Sequence, residues 1–526
     1  MAPRLTKDLL AEGFMAPSGL DIGPYPENLP ERVIQFGEGN FLRAFVDWMF
    51  HKMNKEGLFN GRVVVVQPLP QGLVKQLNEQ DGLYTLMLRG LRNGQAIAEE
   101  EIISSISRGI NPYTEWVEYL KCAENPELEF VVSNTTEAGI TFDSHDRPED
   151  APSVSFPAKL AVFLYHRFKY FKGDPKKGMV VMPCELIDRN GDHLREVILK
   201  LAEVWEWPSA FQDWLVKHNH FLNTLVDRVV PGYPKDEIEE ISARLGYEDQ
   251  LLDTGELFHL WVIEGPEELA ERLPFQQAGL NVIWTNDMSL YRTRKVSLLN
   301  GAHTSCVPVA FLYGLDTVAE MVNHPVLGLF TRKIMFDEII PSMEMDPQML
   351  VDYANDVLER FKNPYIKHYL ISILLNCTSK FKTRVLPSIL NYRRKTGLIP
   401  LKLSFSLAAL IALYRGNLEG NRLKCYRGQE EYFLQDDVEA LEYFVQAWAG
   451  CGEAQADYLK LTRRILSYKS FWGDDLSERL PGLVEQVSSE LYRICQDGIE
   501  VAVRDIMANS GLLENGVNVD ETIKNP

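Results

Sequence analysis

The chain has 526 residues, too many for one simple core, so two domains are expected and a third is allowed. Hydrophobic residues make up 45% and charged residues 24%, the balance of an ordinary soluble enzyme. The formal net charge of −20 argues against a nucleic-acid or membrane-surface partner, and obliges any anionic substrate to find a local basic pocket.

The seven cysteines form no C-x-x-C pair and no Cys/His cluster at zinc-ligand spacing. A reduced, cytoplasmic setting is therefore expected, with no hint of a zinc site. The opening residues MAPRLTKDLLAEGF lack the apolar core of a signal peptide, and Leu403–Tyr414, the most apolar later segment, is too short to cross a bilayer.

In chain order, residues 1–30 hold several Pro and Gly and read as an irregular surface extension with at most one short helix. Val33–Phe36 then reads as a strand, Gly37-Glu38-Gly39 as a tight turn, and Phe41 to about Asn54 as an amphipathic helix. Arg62–Gln67 is a second strand, apolar enough for burial on both faces. This is a βαβ unit. Small turn residues let the N–H groups at a helix start approach a pyrophosphate, and the helix dipole favours the anion. The segment placed against a dinucleotide is Val33, Ile34, Gln35, Phe36, Gly37, Glu38, Gly39, Asn40, Phe41, Leu42, Arg43 and Ala44. The usual fingerprint is incomplete: Leu42 stands where a third glycine would fall. Gln67 ends the second strand, where an acid normally holds the adenine ribose. A plain strand–helix turn is the competing reading.

Further alternation follows. Leu128–Ile140 is a strand ending in a polar loop, PAKLAVFLYHRFKYF is a helix, and GMVVMPCELIDRNG is another strand and loop. Open α/β sheets bind ligands beyond the carboxyl ends of their strands, which makes Thr135, Thr136, Glu137, Glu185 and Asn190 candidates against the plainer reading of loop polarity. Asp227-Arg228 reads as a local ion pair or a pocket wall. FHLWVIEGP and GLNVIWTNDM look like strands. After about Leu290 helical periodicity takes over, at 292–330, 333–341, 348–361, 364–376, 403–416, 436–450, 455–469 and 480–509. The expected architecture is α/β: an N-terminal extension over 1–30, a Rossmann-type domain over 31–285 and a mostly α-helical domain over 286–526.

One helical stretch, RTRKVSLLNGAHTSCVPVAFLYGL from Arg292 to Leu315, is apolar on nearly every face yet carries Lys295, Asn300 and His303. At ~100° per residue the three fan across roughly 140°, with His303 between the others. Burying them together costs several kcal/mol unless they are paired or line a wet pocket. A buried lysine also has its pKa lowered and becomes a usable base. Basic clusters stand out against the acidic chain. In Lys380-x-Lys382-x-Arg384 the first and last residues share a helical face, and arginine suits a carboxylate. A solvated basic face is the alternative.

These residues resemble the polyol-specific long-chain (mannitol-type) dehydrogenases. The resemblance rests on FGEGNFLRAF, QDGLYTL (Gln80–Leu86), SFPAKL (Ser155–Leu160) and, above all, Lys295-x4-Asn300-x2-His303. It runs from about residue 31 to near the end. The wording of VVVVQPLPQG, SNTTEAGI, FHLWVIEGP, YRTRKVSLLNGAHT and SKFKTRVLPS is most similar to the members that act on keto-hexuronates. The resemblance implies an NAD-bearing Rossmann-type domain and a helical substrate domain working without metal. It passes the acid/base role to Lys295, carbonyl polarisation to Asn300 with Asn190 as a second, looser match, and substrate hydrogen bonding to His303. Gln67, Thr136 and Glu137 join the cofactor set.

The expected reaction is NADH-dependent, reversible reduction of D-tagaturonate to D-altronate. Fructuronate to mannonate is the nearest alternative and mannitol/fructose oxidoreduction the third. A nucleotide-binding sensor without turnover is the rival from another class, and the intact Lys–Asn–His set argues against it. Mannitol-type members tend to carry a glutamate three residues before the motif lysine, where this chain has Arg292. A hexuronate has a carboxylate to be answered and a polyol has none, so Lys380, Arg384 and Arg292 are the expected carboxylate ligands, with Asp227 on the pocket wall. Oligomeric state is open, and a monomer fits the resemblance.

Overall fold

The structure, a computed structural model, describes residues 2–11, 14–23, 28–135, 139–508; Thr136 and Glu137 lie outside the described residues. The chain divides into two compact units, Met1–Ser289 and Leu290–Pro526.

The first unit is built on a six-stranded parallel sheet. Its strands are β1 (Glu31–Phe36), β2 (Arg62–Val66), β3 (Ile106–Ile110), β4 (Phe130–Ser133), β5 (Val180–Pro183) and β6 (His220–Phe221). Their order in space is β3-β2-β1-β4-β5-β6, that of a dinucleotide-binding Rossmann sheet, with the crevice at the β1/β4 switch point. Residues along β1 and β2 alternate between two cores: Val33, Val63 and Val65 face one, and Ile34, Phe36, Val64 and Val66 the other. Burial on both faces is why these strands read as unbroken apolar runs.

Helix α1 follows β1 as one continuous rod, through Asn40–Leu42, a π-helical segment Arg43–Asp47 and Trp48–Lys55. Helix α2 (Asn190–Val204) follows β5. The extension contributes one short helix, Lys7–Ala11, and a strand, Leu20–Asp21, that pairs in parallel with Gln95–Ile103. That strand edges a second sheet, which sequence patterning passed over. Its centre is the hairpin Tyr84–Arg92/Gln95–Ile103, turned by Asn93 and Gly94, both at positive φ (55° and 75°). Two consecutive left-handed residues make the mirror-image turn that suits a twisted hairpin.

The second unit is mostly helical. Its motif-bearing rod runs through Ser289–Arg294, a π-helical segment Lys295–Asn300 and α3 (Gly301–Tyr313), and stops at Gly314, where φ is 106°. The helix expected over 292–330 is therefore broken, and a capping box at Thr317 and Glu320 starts the next one. Helices α4 (Pro347–Phe361) and α5 (Cys377–Arg384) pack near it. The helix expected over 364–376 shrinks to Leu370–Ile373, because Tyr369 is extended and Asn376 is left-handed at φ 53°. A three-stranded antiparallel meander, Gly416–Glu419, Arg422–Arg427 and Glu430–Leu434, fills a stretch that helical periodicity left blank. Among the described residues no helix is long and apolar enough to cross a membrane.

Candidate active site

In the first unit the turn after β1 is held open for a ligand. Gly37 has φ 120°, and its N–H donates to Val66 O at 3.0 Å. A Cβ there would stand 3.0 Å from Asn134 O, so the turn lies close against the end of β4. A Cβ on Gly39 would meet nothing within 4 Å. Gly39 also caps α1 without a side-chain acceptor, leaving the first-turn N–H groups of α1 for another partner. Open space, free donors and a helix N-terminus at the switch point fit a pyrophosphate.

Not every side chain in the expected cofactor segment reaches that space. Val33, Ile34, Phe36, Leu42 and Ala44 lie in the core. Gln35 donates its amide to Gly37 O and to Asp47 Oδ2, both at 3.0 Å, and so braces the turn from beneath. Arg43 is buried, donating to Glu38 O at 3.2 Å, to Asn40 Oδ1 at 2.6 Å and to Leu251 O. Its charge is therefore committed inside the protein. The backbone of Gly37–Asn40 and the side chains of Glu38 and Phe41 are what the turn presents.

The loops after β4 and β5 meet through Thr135 and Glu185, whose polar groups are spent on each other. The Glu185 carboxylate accepts from Ser133 Oγ (3.0 Å), Thr135 N (3.0 Å) and Thr135 Oγ1 (3.1 Å), and burial pushes its pKa up. Asn190 is different. Its Nδ2 donates to the carbonyls of Pro183, Glu185 and Thr224, and its Oδ1 accepts from Gly191 and Thr224. All its hydrogen-bonding capacity is used in tying α2 to β5, so Asn190 positions the loop and its amide is not turned to a substrate. Gln67 is likewise bound to its own loop.

The Asp227-Arg228 ion pair is also replaced by another arrangement. Arg228 donates to Ala44 O, Leu257 O and Phe258 O and lies over the Trp48 ring at 4.2 Å. Burial lowers its pKa to about 9. Asp227 is buried at the end of strand Asn223–Asp227.

In the second unit Lys295 and Asn300 bound the π-helical segment, and His303 follows in the first turn of α3. Gly301 N–H bonds Val296 O, five residues back, and this wider turn brings positions five apart, such as Lys295 and Asn300, onto neighbouring parts of one face. The fan drawn from uniform α-helical steps is therefore too wide. A π-turn inserted in an α-helix is a frequent mark of a functional position. Lys295, Asn300 and His303 are all half-buried.

His303 stacks flat on Phe361, with centroids 4.2 Å apart, and meets the His368 ring edge-on at 5.1 Å. Its Nε2 is buried and has no partner among the described residues. Its pKa lies well below 6.5, chiefly from burial and then from the charges of His368, Arg360, Arg384 and Lys380. The imidazole is thus neutral near pH 7 and faces a cationic surround. Lys380 and Arg384, chosen from the sequence, are brought to His303 by α5. Arg292 stands three residues ahead of Lys295 on Ser289–Arg294.

The approach of α5 is close because position 301 is glycine: a Cβ there would lie 3.0 Å from Arg384 O. The start of α5 is fixed by buried Asp436, which accepts from Thr378 N at 3.1 Å, Thr378 Oγ1 at 2.9 Å and Tyr414 Oη. Arg360, Phe361, His368 and Asp436 were not picked from the sequence. The first three lie in or just after a helix that reads as ordinary amphipathic surface. Asp436, in QDD, reads as a solvated acid.

Comparison with known proteins agrees with both halves. The family model for the mannitol dehydrogenase Rossmann domain matches residues 31–277, and that for the mannitol dehydrogenase C-terminal domain matches residues 287–495. An altronate oxidoreductase of Bacillus subtilis (strain 168) is 47% identical over 482 residues, covering 92% of this chain and 96% of that protein. One from Escherichia coli O6:K15:H31 is 47% identical over 478 residues, covering 91% and 97%. Among solved structures, the Pseudomonas fluorescens mannitol 2-dehydrogenase ternary complex with NAD and D-mannitol is 20% identical. It aligns with a TM-score of 0.66 over 96% of this chain and 99% of that one. A substrate-free D-sorbitol dehydrogenase is 19% identical with a TM-score of 0.76, covering 96% and 100%.

Proposed function

The chain belongs to the mannitol dehydrogenase family of oxidoreductases acting on CH–OH groups, and from that premise we propose that it reduces D-tagaturonate to D-altronate reversibly with NADH. The observation that carries the choice of a sugar acid is the basic group around His303: Arg360, Lys380 and Arg384 beside an unpartnered Nε2. A neutral polyol has no use for so much positive charge, whereas a hexuronate carboxylate does. The names of the relatives at 47% identity point the same way.

NAD, when bound, supplies or accepts the hydride at the carbinol carbon. The open Gly39 and the uncapped start of α1 suit its pyrophosphate. Lys295 gives a proton to the sugar oxygen as reduction proceeds and takes it back in the reverse direction. The Asn300 amide donates to the same oxygen as its negative charge grows. Neutral His303 uses Nε2 to hydrogen-bond a substrate hydroxyl. Lys380 and Arg384 hold the carboxylate, with Arg292 as a further ligand. A cytoplasmic location suits such a substrate.

The test is NADH oxidation with tagaturonate, fructuronate and fructose side by side. Tagaturonate should give the highest kcat/KM and fructose the lowest. Equal efficiency on fructose and tagaturonate would remove the carboxylate from the account, and preference for fructuronate would move the reaction to the sister epimer.

A further inference from the structure

We propose that Glu38 takes the place of the acid missing from the end of β2: its carboxylate holds the adenine ribose of the dinucleotide and sets the preference for NAD over NADP. This rests on the NAD reading above.

The usual position is occupied by Gln67, and Gln67 is committed elsewhere. Its Nε2 donates to Leu69 O at 2.8 Å and Pro70 O at 3.2 Å, and its Oε1 accepts from Val74 N at 3.4 Å. These bonds fold residues 68–73 back toward the glycine turn. Glu38 reaches the same loop from the other side, where its Oε1 accepts from Leu73 N at 3.2 Å. A Cβ on Gly72 would lie 2.0 Å from Glu38 Oε1 and 2.6 Å from Gln67 Cδ. The glycine therefore makes the space in which the carboxylate stands.

Glu38 thus spans the ends of β1 and β2, between which a Rossmann sheet of this order receives the adenosine half of its ligand. Its main chain is fixed on both sides, by the left-handed Gly37 and by the bond from Arg43 Nε to Glu38 O at 3.2 Å. The second carboxylate oxygen, Oε2, is buried and has no hydrogen-bond partner among the described residues. A buried acceptor left without a donor is costly, and a ribose hydroxyl is a donor. Burial pushes the Glu38 pKa up, while Leu73 N–H and the Arg43 charge oppose it, and a hydroxyl donor would add to that opposition. A 2′-phosphate would instead set one anion against another.

The experiment is titration calorimetry of the full chain with NAD+ and NADP+, for the parent, Glu38→Gln and Gly72→Ala, with thermal melts to establish folding. The parent should bind NAD+ more tightly. In Glu38→Gln the NAD+/NADP+ affinity ratio should fall at least about tenfold, in line with the loss of one charge-assisted hydrogen bond. Gly72→Ala keeps the charge but displaces the carboxylate, and should weaken NAD+ by about the same factor. If Glu38→Gln fails to fold, Gly72→Ala decides. A folded Glu38→Gln with an unchanged ratio, or a folded Gly72→Ala with parental NAD+ affinity, overturns the inference while the NAD reading stands. A parent that binds neither dinucleotide overturns both.

Discussion

His303 lies flat on Phe361, ring centroids 4.2 Å and planes 15° apart, so the motif imidazole is aimed by a residue fifty-eight positions further along the chain. The stack fixes the ring plane, and Nε2 is buried with no hydrogen-bond partner among the described residues. It also buries the imidazole, which depresses its basicity.

That depression has a sign that can be tested. The folded-state pKa lies well below the ordinary 6.5, so an unfolded chain takes up the proton first as pH falls. Stability linked to neutral His303 is complete above about 6.5 and is lost progressively below it. His303→Asn should therefore lose less stability than the parent between pH 6.5 and 5 in urea titrations. A variant with the parent's acid sensitivity would mean that His303 is not held neutral.

Lys380→Ala and Arg384→Ala test the carboxylate site. Each should raise KM for the uronate by about 10- to 100-fold, the loss of one charged hydrogen bond, with a much smaller change in kcat. KM for fructose should barely move. Unchanged uronate KM in both variants would take α5 out of substrate binding.

Asp436 touches no substrate in this account; it pins the start of α5 and so positions Lys380 and Arg384. Asp436→Asn should raise uronate KM severalfold while leaving kcat near the parent's, and should cost about 1–3 kcal/mol of stability for the broken buried hydrogen bonds. A loss of stability with KM unmoved would reduce Asp436 to a purely structural role.

Asp47 is a different kind of buried acid. Burial raises its carboxyl from 3.8 to about 7, against the Gln35 hydrogen bond and the Arg43 charge, which lower it. The folded chain therefore holds this proton between about pH 4 and 7, where the unfolded chain has released it. The associated stability is full below 3.8 and lost as pH rises through about 7. Asp47→Asn should flatten the fall of stability over that window, though Asp253, also raised to about 7, keeps part of the slope. An identical pH dependence in parent and variant would contradict this.

Much of this was legible in the sequence because it is local. The strand–turn–helix at Val33–Asn54 and the Lys295-x4-Asn300-x2-His303 spacing are carried by short-range patterns, and both signal their burial by apolar neighbours. What was not legible depends on contacts far apart in the chain. The commitment of Asn190 to Pro183, Glu185 and Thr224, and of Arg228 to three carbonyls, cannot be seen in their own segments. The π-helical turn at Lys295–Asn300 leaves no compositional trace. The hairpin over Tyr84–Ile103 did leave one, the Asn93-Gly94 turn pair, but its antiparallel strands stand outside the βαβ alternation that flanks them.

The most direct measurement is the single-turnover reduction of tagaturonate by Lys295→Met across pH 5–10, with NADH binding followed separately by fluorescence. NADH affinity should stay close to the parent's while the reduction rate falls by about 10²- to 10⁴-fold, the contribution of a positioned acid/base group. Reduction at the parental rate across the whole pH range would contradict it.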